Sequence, residues 1–223
     1  GLLVTSSKGG FLAALCALLV FAIAVFRARG TDVQELLRAR RGMVTEVGMC
    51  IGFCFLITRG LIDRIGGLTE EVERIFFEDE DFSMRAQQAG SQCVVAEGSY
   101  VWHAEHQSVK SMPEREALFA RNQHWCHERW GRWVRMAWPH FAPLVPGSAE
   151  LRALLQELLS WTRRRTHVYF FCPMPAGTNH VDLFRSVGLT PHADIHWHAI
   201  GEPFGRWTAA ASILKRRKKP FDI

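Results

Sequence analysis

Apolar residues fall along this chain in blocks whose spacing changes from one to the next. Residues 9–26 are an unbroken uncharged run of 18, the lower limit for crossing a bilayer. Lys8 precedes the run and Arg27, Arg29, Arg38, Arg40 and Arg41 follow it, a bias that would leave the next segment on the cytoplasmic side. The competing expectation is a buried helix running into a core strand from Phe21 to Phe26. Thr31 to Arg41 reads as a short amphipathic helix, capped by Thr31 and striped by Val33, Leu36 and Leu37. Val44 to Ile57 is apolar and β-forming but broken by Gly48 and Gly52, which predicts a strand, a tight turn and a second strand or helix.

Further on, Leu61 to Ile65 reads as a helical turn closed by Gly66-Gly67, and Phe82 to Ala89 as a helix ended by Gly90. Gln92 to Ala96 and Tyr100 to Trp102 read as short strands. Ser111 and Glu114 have the spacing of a capping box, opening a helix through Trp125 and on to Arg135. Its aromatic residues (Phe119, Trp125, Trp130, Trp133, Trp138) alternate with arginines and are expected to pack in a core rather than lie on a membrane. Three prolines between Pro139 and Pro146 mark a linker up to Gly147. Ser148 then caps an amphipathic helix bearing Leu151, Leu154, Leu155, Leu158 and Leu159. His167 to Cys172 and Ala193 to Ile200 read as strands around a helix at Val181 to Val187, an order that suits a small α/β unit.

The 223 residues are 48% hydrophobic and 22% charged, enough to bury a core. The pattern divides as 1–43, an apolar segment and helix; 44–138; and 139–223, a linker, an amphipathic helix and a small α/β accessory segment. The net charge of +5 suits anionic partners, but Arg163-Arg164-Arg165 and Lys215 to Lys219 supply much of it and read as solvated faces. No recognition motif supports nucleic-acid binding. Six cysteines (Cys16, Cys50, Cys54, Cys93, Cys126, Cys172) form no Cys-x-x-Cys pair, a pattern of a reducing compartment rather than a disulfide framework. The Gly1 and Ile223 ends read as cut, so a longer polypeptide is expected.

Candidate chemistry concentrates in Glu78-Asp79-Glu80-Asp81. Four adjacent acids repel one another, and a fold keeps them together where cations, hydroxyls or proton transfer use them. The plainer reading is the first turn of a helix, which favours acids. A third arrangement, His196 and His198 on one face of a strand with His180 and His192 nearby, offers two metal ligands without a recognised third.

From Gly48 to Gly131 the chain resembles the C-terminal half of the catalytic domain of family 2 glycosyltransferases, which have the GT-A fold. The resemblance rests on an ordered set. It begins with Gly52-Phe53-Cys54-Phe55-Leu56-Ile57-Thr58-Arg59 and Ile65-Gly66-Gly67-Leu68-Thr69-Glu70, where Thr69 replaces the usual Asp. It continues with Phe77 through Arg85 to Gly90 and with Val101-Trp102-His103 and Ser108, and closes on Asn122 and Trp130-Gly131. The implied fold is α/β, a partial GT-A-like, Rossmann-like domain followed by helices and a small α/β segment. The implied activity is inverting sugar transfer from a nucleotide-diphosphate sugar donor to a glycan, lipid-linked or other hydroxyl acceptor.

On that resemblance Asp79 is the base that takes the acceptor proton, with Glu78 and Asp81 in support. Arg85, Trp102, Gly52 and Arg59 contact substrate. His103 reaches a divalent metal (Mg or Mn) or the diphosphate, with His106 a weaker candidate. The family's Asp-x-Asp metal motif lies upstream of the glycine segment, and none occurs among the 47 residues before Gly48. The implied location is cytoplasmic, with association at the cytoplasmic membrane face an option. The alternative is a non-catalytic, basic, Trp-rich module that binds a membrane surface or glycan.

Overall fold

A computed structural model describes residues 33–73, 75–102, 112–201, 205–215 and 219–223. The 9–26 run, Ser111, and His103, His106 and Ser108 lie outside them. The described residues are mixed α/β, with seven helices and five short strands. None of these helices is long and apolar enough to cross a membrane.

The chain divides into two compact units, residues 1–43 with 96–100, and residues 44–95 with 101–223. In the first, residues 33–39 form helix α1. Arg40 pairs with Glu97 at 3.3 Å, and the Glu97 N–H donates to the Met43 carbonyl at 3.0 Å. The second unit holds the candidate site.

Its C-terminal part is a parallel sheet in the order β3-β4-β5, formed by Val134–Pro139, Thr166–Cys172 and Ile195–Ala199. Helix α5 (Ala149–Thr162) connects β3 to β4, and α6 (His180–Ser186) connects β4 to β5, the crossover that parallel neighbours require. Leu151, Leu155, Leu158 and Leu159 of α5 and Leu183 and Phe184 of α6 enter one core with Val168, Phe170, Cys172 and Ile195. Both helices therefore cover the same sheet face. The Ser148 side chain caps α5 by accepting from the Leu151 N–H at 3.1 Å, as the Ser-then-leucine pattern predicts. Burial pushes the thiol of Cys172, which is fully enclosed, up to about 12.

The opposite face alternates with the first and carries Arg135, His167, Tyr169, Phe171, His196 and His198. Here the Arg135 guanidinium lies over the Tyr169 and Phe221 rings. His196 and His198 do share this face, as their spacing predicts. They lie against Tyr169 and Phe171.

Three expectations change. The helix from Arg115 stops at Trp130 (α4), because Gly131 turns the backbone to φ 78°, and Val134–Pro139 is a strand instead of a helical continuation. The aromatic-rich stretch kept a helical look past Gly131, but its residues pair in register with β4, from Val134 opposite Thr166 to Pro139 opposite Phe171. In the Val44 to Ile57 block only Val44–Glu46 (β1) is a strand, paired with Val94–Ala96 (β2). Tyr100 to Trp102 forms no strand.

The remaining helices are α2 (Arg59–Ile65), α3 (Glu78–Gln88) and α7 (Gly205–Leu214). α3 begins four residues before the apolar pattern does, so the acidic run is itself its first turn.

Candidate functional site

The chain enters α3 through Phe76 and Phe77, both left-handed at φ 71° and 74°. Left-handed backbone costs an L-residue about 1–2 kcal/mol, so the turn needs support. Asn122 of α4 supplies it: its amide nitrogen donates to the carbonyls of Ile75 at 2.7 Å and Glu73 at 3.2 Å. Phe119, one turn earlier on α4, packs on both Phe rings.

The turn distributes the four carboxylates to different surroundings. Glu80 and Asp81 are buried. Asp81 receives the Arg85 Nε at 2.7 Å and the Trp130 indole N–H at 3.0 Å, with the Arg129 Nε at 3.2 Å. Glu80 receives the Trp133 indole N–H at 2.6 Å, and the Arg165 Nη2 lies 2.9 Å away. These two acids are consumed by interior pairing.

Asp79 is only partly buried and has no ion pair among the described residues. Its Oδ2 accepts the Gly52 N–H at 2.9 Å, and its Oδ1 accepts the N–H of Glu80 at 2.9 Å. A carboxylate offers about four lone-pair sites, so each oxygen keeps capacity for a further donor. Glu78 is also half-buried, and its Oε2 is buried without a hydrogen-bond partner among the described residues. Burial, and then the neighbouring charge of Asp79, raise the Glu78 pKa above the usual carboxylate value.

The segment that meets Asp79 explains why an apolar, β-forming stretch is not a strand. The Gly48 N–H donates to Asp194 Oδ2 at 3.1 Å, Cys50 N–H to Ser83 Oγ at 3.0 Å and Gly52 N–H to Asp79 at 2.9 Å. Alternate donors thus end on side chains instead of a strand ladder. Gly48 is sterically required, since a Cβ there would lie 2.6 Å from the Trp133 ring. Ile51 and Phe53 remain exposed on this segment.

Arg85 faces inward. Beyond Asp81 it donates to the carbonyls of Ile65 at 2.7 Å and Gly67 at 2.8 Å, fastening the Gly-Gly turn after α2 to α3. Arg59 is exposed at the first position of α2 and Trp102 is 73% exposed. Of the expected residues the structure brings together Gly52, Asp79 and Glu78, and on the inner side Asp81 and Arg85. No group of three or more His, Cys, Asp or Glu among the described residues is placed to hold a metal.

Sequence reading missed Ser83, Asp194, Trp133 and Arg165 as partners of this region. Nor are Arg163 and Arg165 a solvated face: Arg163 makes a two-pronged contact to the fully buried Glu46 at 2.6 and 2.9 Å, and Arg165 is 1% exposed. These pairs join residues far apart in sequence, and no local spacing signals them.

A cavity of about 400 Å³ is lined by Gly48, Glu80, Trp133, His167 and Asp194 among others. His167 stacks on Trp133 and lies 3.1 Å from Asp194 Oδ1. The buried His192 accepts the Asp194 N–H at Nδ1, 3.1 Å. Burial pushes its pKa below the ordinary value, outweighing the charges of Asp194 and Glu46. Burial alone would raise Asp194, but the close approach of His167, then His192 and the Gly48 N–H, hold it below the usual range.

No protein-family model, curated protein or solved structure matches the chain.

Proposed function

We propose that this chain is the acceptor-side half of a GT-A-like glycosyltransferase, with Asp79 as the base of an inverting transfer. The observation that carries the reading is the sorting of the acidic run. Two acids are locked in interior pairs, while Asp79 stands at the helix start against Gly52, partly exposed and without a cation among the described residues. That is the condition a proton acceptor needs: geometry held by backbone donors, with lone pairs left for the incoming hydroxyl. The ordered motifs from Gly52 to Trp130-Gly131 support the same reading.

In the proposed step the acceptor oxygen attacks the anomeric carbon as its proton passes to an Asp79 oxygen. The bond to the nucleoside diphosphate breaks on the opposite side. Glu78 shapes the charge beside Asp79. Asp81 acts at a distance, by fixing Arg85, Arg129 and Trp130 around the first turns of α3. Arg59 and Trp102, both exposed, are the proposed substrate contacts.

The test is nucleoside diphosphate release from UDP- and GDP-hexoses by the complete polypeptide that carries this sequence. Asp79→Asn is expected to lower transfer about 100-fold or more while the fold is kept. Transfer near wild-type would refute the base assignment. The alternative of a surface-binding module predicts that Asp79→Asn leaves liposome or glycan binding intact and Arg129→Ala weakens it. Against it, Trp125, Trp130 and Trp133 spend their indole N–H groups on Glu71, Asp81 and Glu80.

A further inference from the structure

Residues 219–223 run along the outer edge of β3, on the side away from β4. The Ala137 N–H donates to the Ile223 carbonyl at 2.9 Å, and the N–H groups of Asp222 and Ile223 lie 2.8 and 3.5 Å from the Arg135 carbonyl. An antiparallel partner would exchange both bonds with one residue of β3. Bonding instead to the two residues that flank Met136 marks a parallel neighbour. Arg135 fastens this tail further: its N–H donates to Asp222 Oδ2 at 2.8 Å, and its guanidinium to the carbonyls of Lys219 and Pro220. The order across the sheet is therefore tail, β3, β4, β5, all parallel.

That order changes direction at β3. The chain steps from β3 to β4 to β5 with α5 and α6 on one face, then returns to the far side of β3. A right-handed return carries α7 across the other face. In open parallel sheets, ligands bind outside the carboxyl ends of the strands where the order reverses in this way.

The side chains at that end supply a cation and exposed rings. β3 ends at Pro139, and Phe141 just beyond it is exposed. α7 opens so close to the exit from β5 that a Cβ on Gly205 would lie 3.4 Å from the Ile200 side chain. The Arg206 guanidinium lies over the Phe141 ring, 5.3 Å from its centre, which brings the exits from β3 and β5 together. Arg206 is exposed and has no ion pair among the described residues. Trp207 beside it is 76% exposed. A guanidinium grips phosphate through paired N–H bonds, and an exposed indole stacks a nucleobase.

We propose that the carboxyl end of β3 is a nucleotide site, with Arg206 on the phosphate and Trp207 against the base. The loop 140–148 holds a single glycine, Gly147, and lacks the glycine-rich turn of dinucleotide sites, so the ligand is a mononucleotide. The site shares no residue with the acidic turn and does not depend on sugar transfer.

The full chain is titrated calorimetrically with ADP, GDP and UDP, and separately with inorganic phosphate. At least one nucleotide is expected to bind with a Kd below about 1 mM, and phosphate more weakly. Arg206→Ala should weaken that nucleotide about tenfold or more, and Trp207→Ala about fivefold or more. Both side chains are exposed, so the variants should keep the wild-type circular dichroism spectrum. Hydrogen exchange of the wild-type chain should slow on nucleotide binding in peptides covering 139–147 and 205–210. No binding of any of the three nucleotides, phosphate binding as tightly as the nucleotide, unchanged affinity in the two variants, or slowing confined to 44–95 would each overturn the proposal. The exchange map stands even where a variant misfolds.

Discussion

The Arg165 guanidinium and the Glu80 carboxylate meet 2.9 Å apart with 1% and 6% of their side chains exposed. The contact joins the first turn of α3 to the residue before β4. The approach is off the hydrogen-bond line at Nη2, and Nε finds no partner among the described residues; the Trp133 ring lies beneath the guanidinium. The pair is held by Coulomb attraction and packing. Removing one partner would leave a charge stranded in the interior. Glu80→Ala is therefore expected to destabilise the fold by about 3–5 kcal/mol, measured by urea unfolding.

Asp79→Asn should behave in the opposite way. The Asn carbonyl can still accept the Gly52 N–H, and what is lost is mainly the charge at the helix start, worth about 0.3–1 kcal/mol. Melting temperature should hardly move while sugar transfer collapses. A large fall in melting temperature would instead make Asp79 a structural acid like its two neighbours.

Stability should fall as the solution is acidified below the ordinary histidine pKa of about 6.5. His192 has a folded-state pKa below that value, so the unfolded chain takes up the proton first and gains from acid. The loss begins near pH 6.5 and is complete below the folded pKa. Its geometry explains the sign, because Nδ1 is already an acceptor for the Asp194 N–H and protonation would replace that acceptor with a donor. Asp194, also lowered, adds a second loss of stability below its ordinary value. His140 is lowered by burial too, so His192→Phe should shrink the slope between pH 7 and 5 without abolishing it. Denaturant midpoints across that range give the test, and an unchanged slope in the variant would rule His192 out.

In the C-terminal sheet the leucine face of α5 is the main support. Leu155 is fully buried within the shared core, and Leu155→Ala should cost about 2–5 kcal/mol. A loss under 1 kcal/mol in urea unfolding would mean that this face closes over the gap.

What the sequence made readable divides by range. α5, α6, β4 and β5 carry their own periodicity and cap residues, so their pattern predicts them closely. β3 does not, because Val134–Pro139 becomes a strand only through β4, reached after the whole of α5. The glycine-apolar segment misleads for the same reason, since the acceptors for Gly48, Cys50 and Gly52 are Asp194, Ser83 and Asp79. The acidic run was legible as a cluster and as a helix start, and it is both. The division of labour within it was not, because Arg165, Trp133, Trp130 and Arg129 decide which acids are buried, and they come from later elements.

The two left-handed phenylalanines before α3 have a wider consequence. Their backbone is a loaded spring, and the catch is the amide of Asn122, which touches none of the four acids' carboxylates. Relaxing that catch would let the helix begin elsewhere and re-aim all four side chains together. The turn can thus be retuned from α4, at a distance, while every residue of the acidic run keeps its identity.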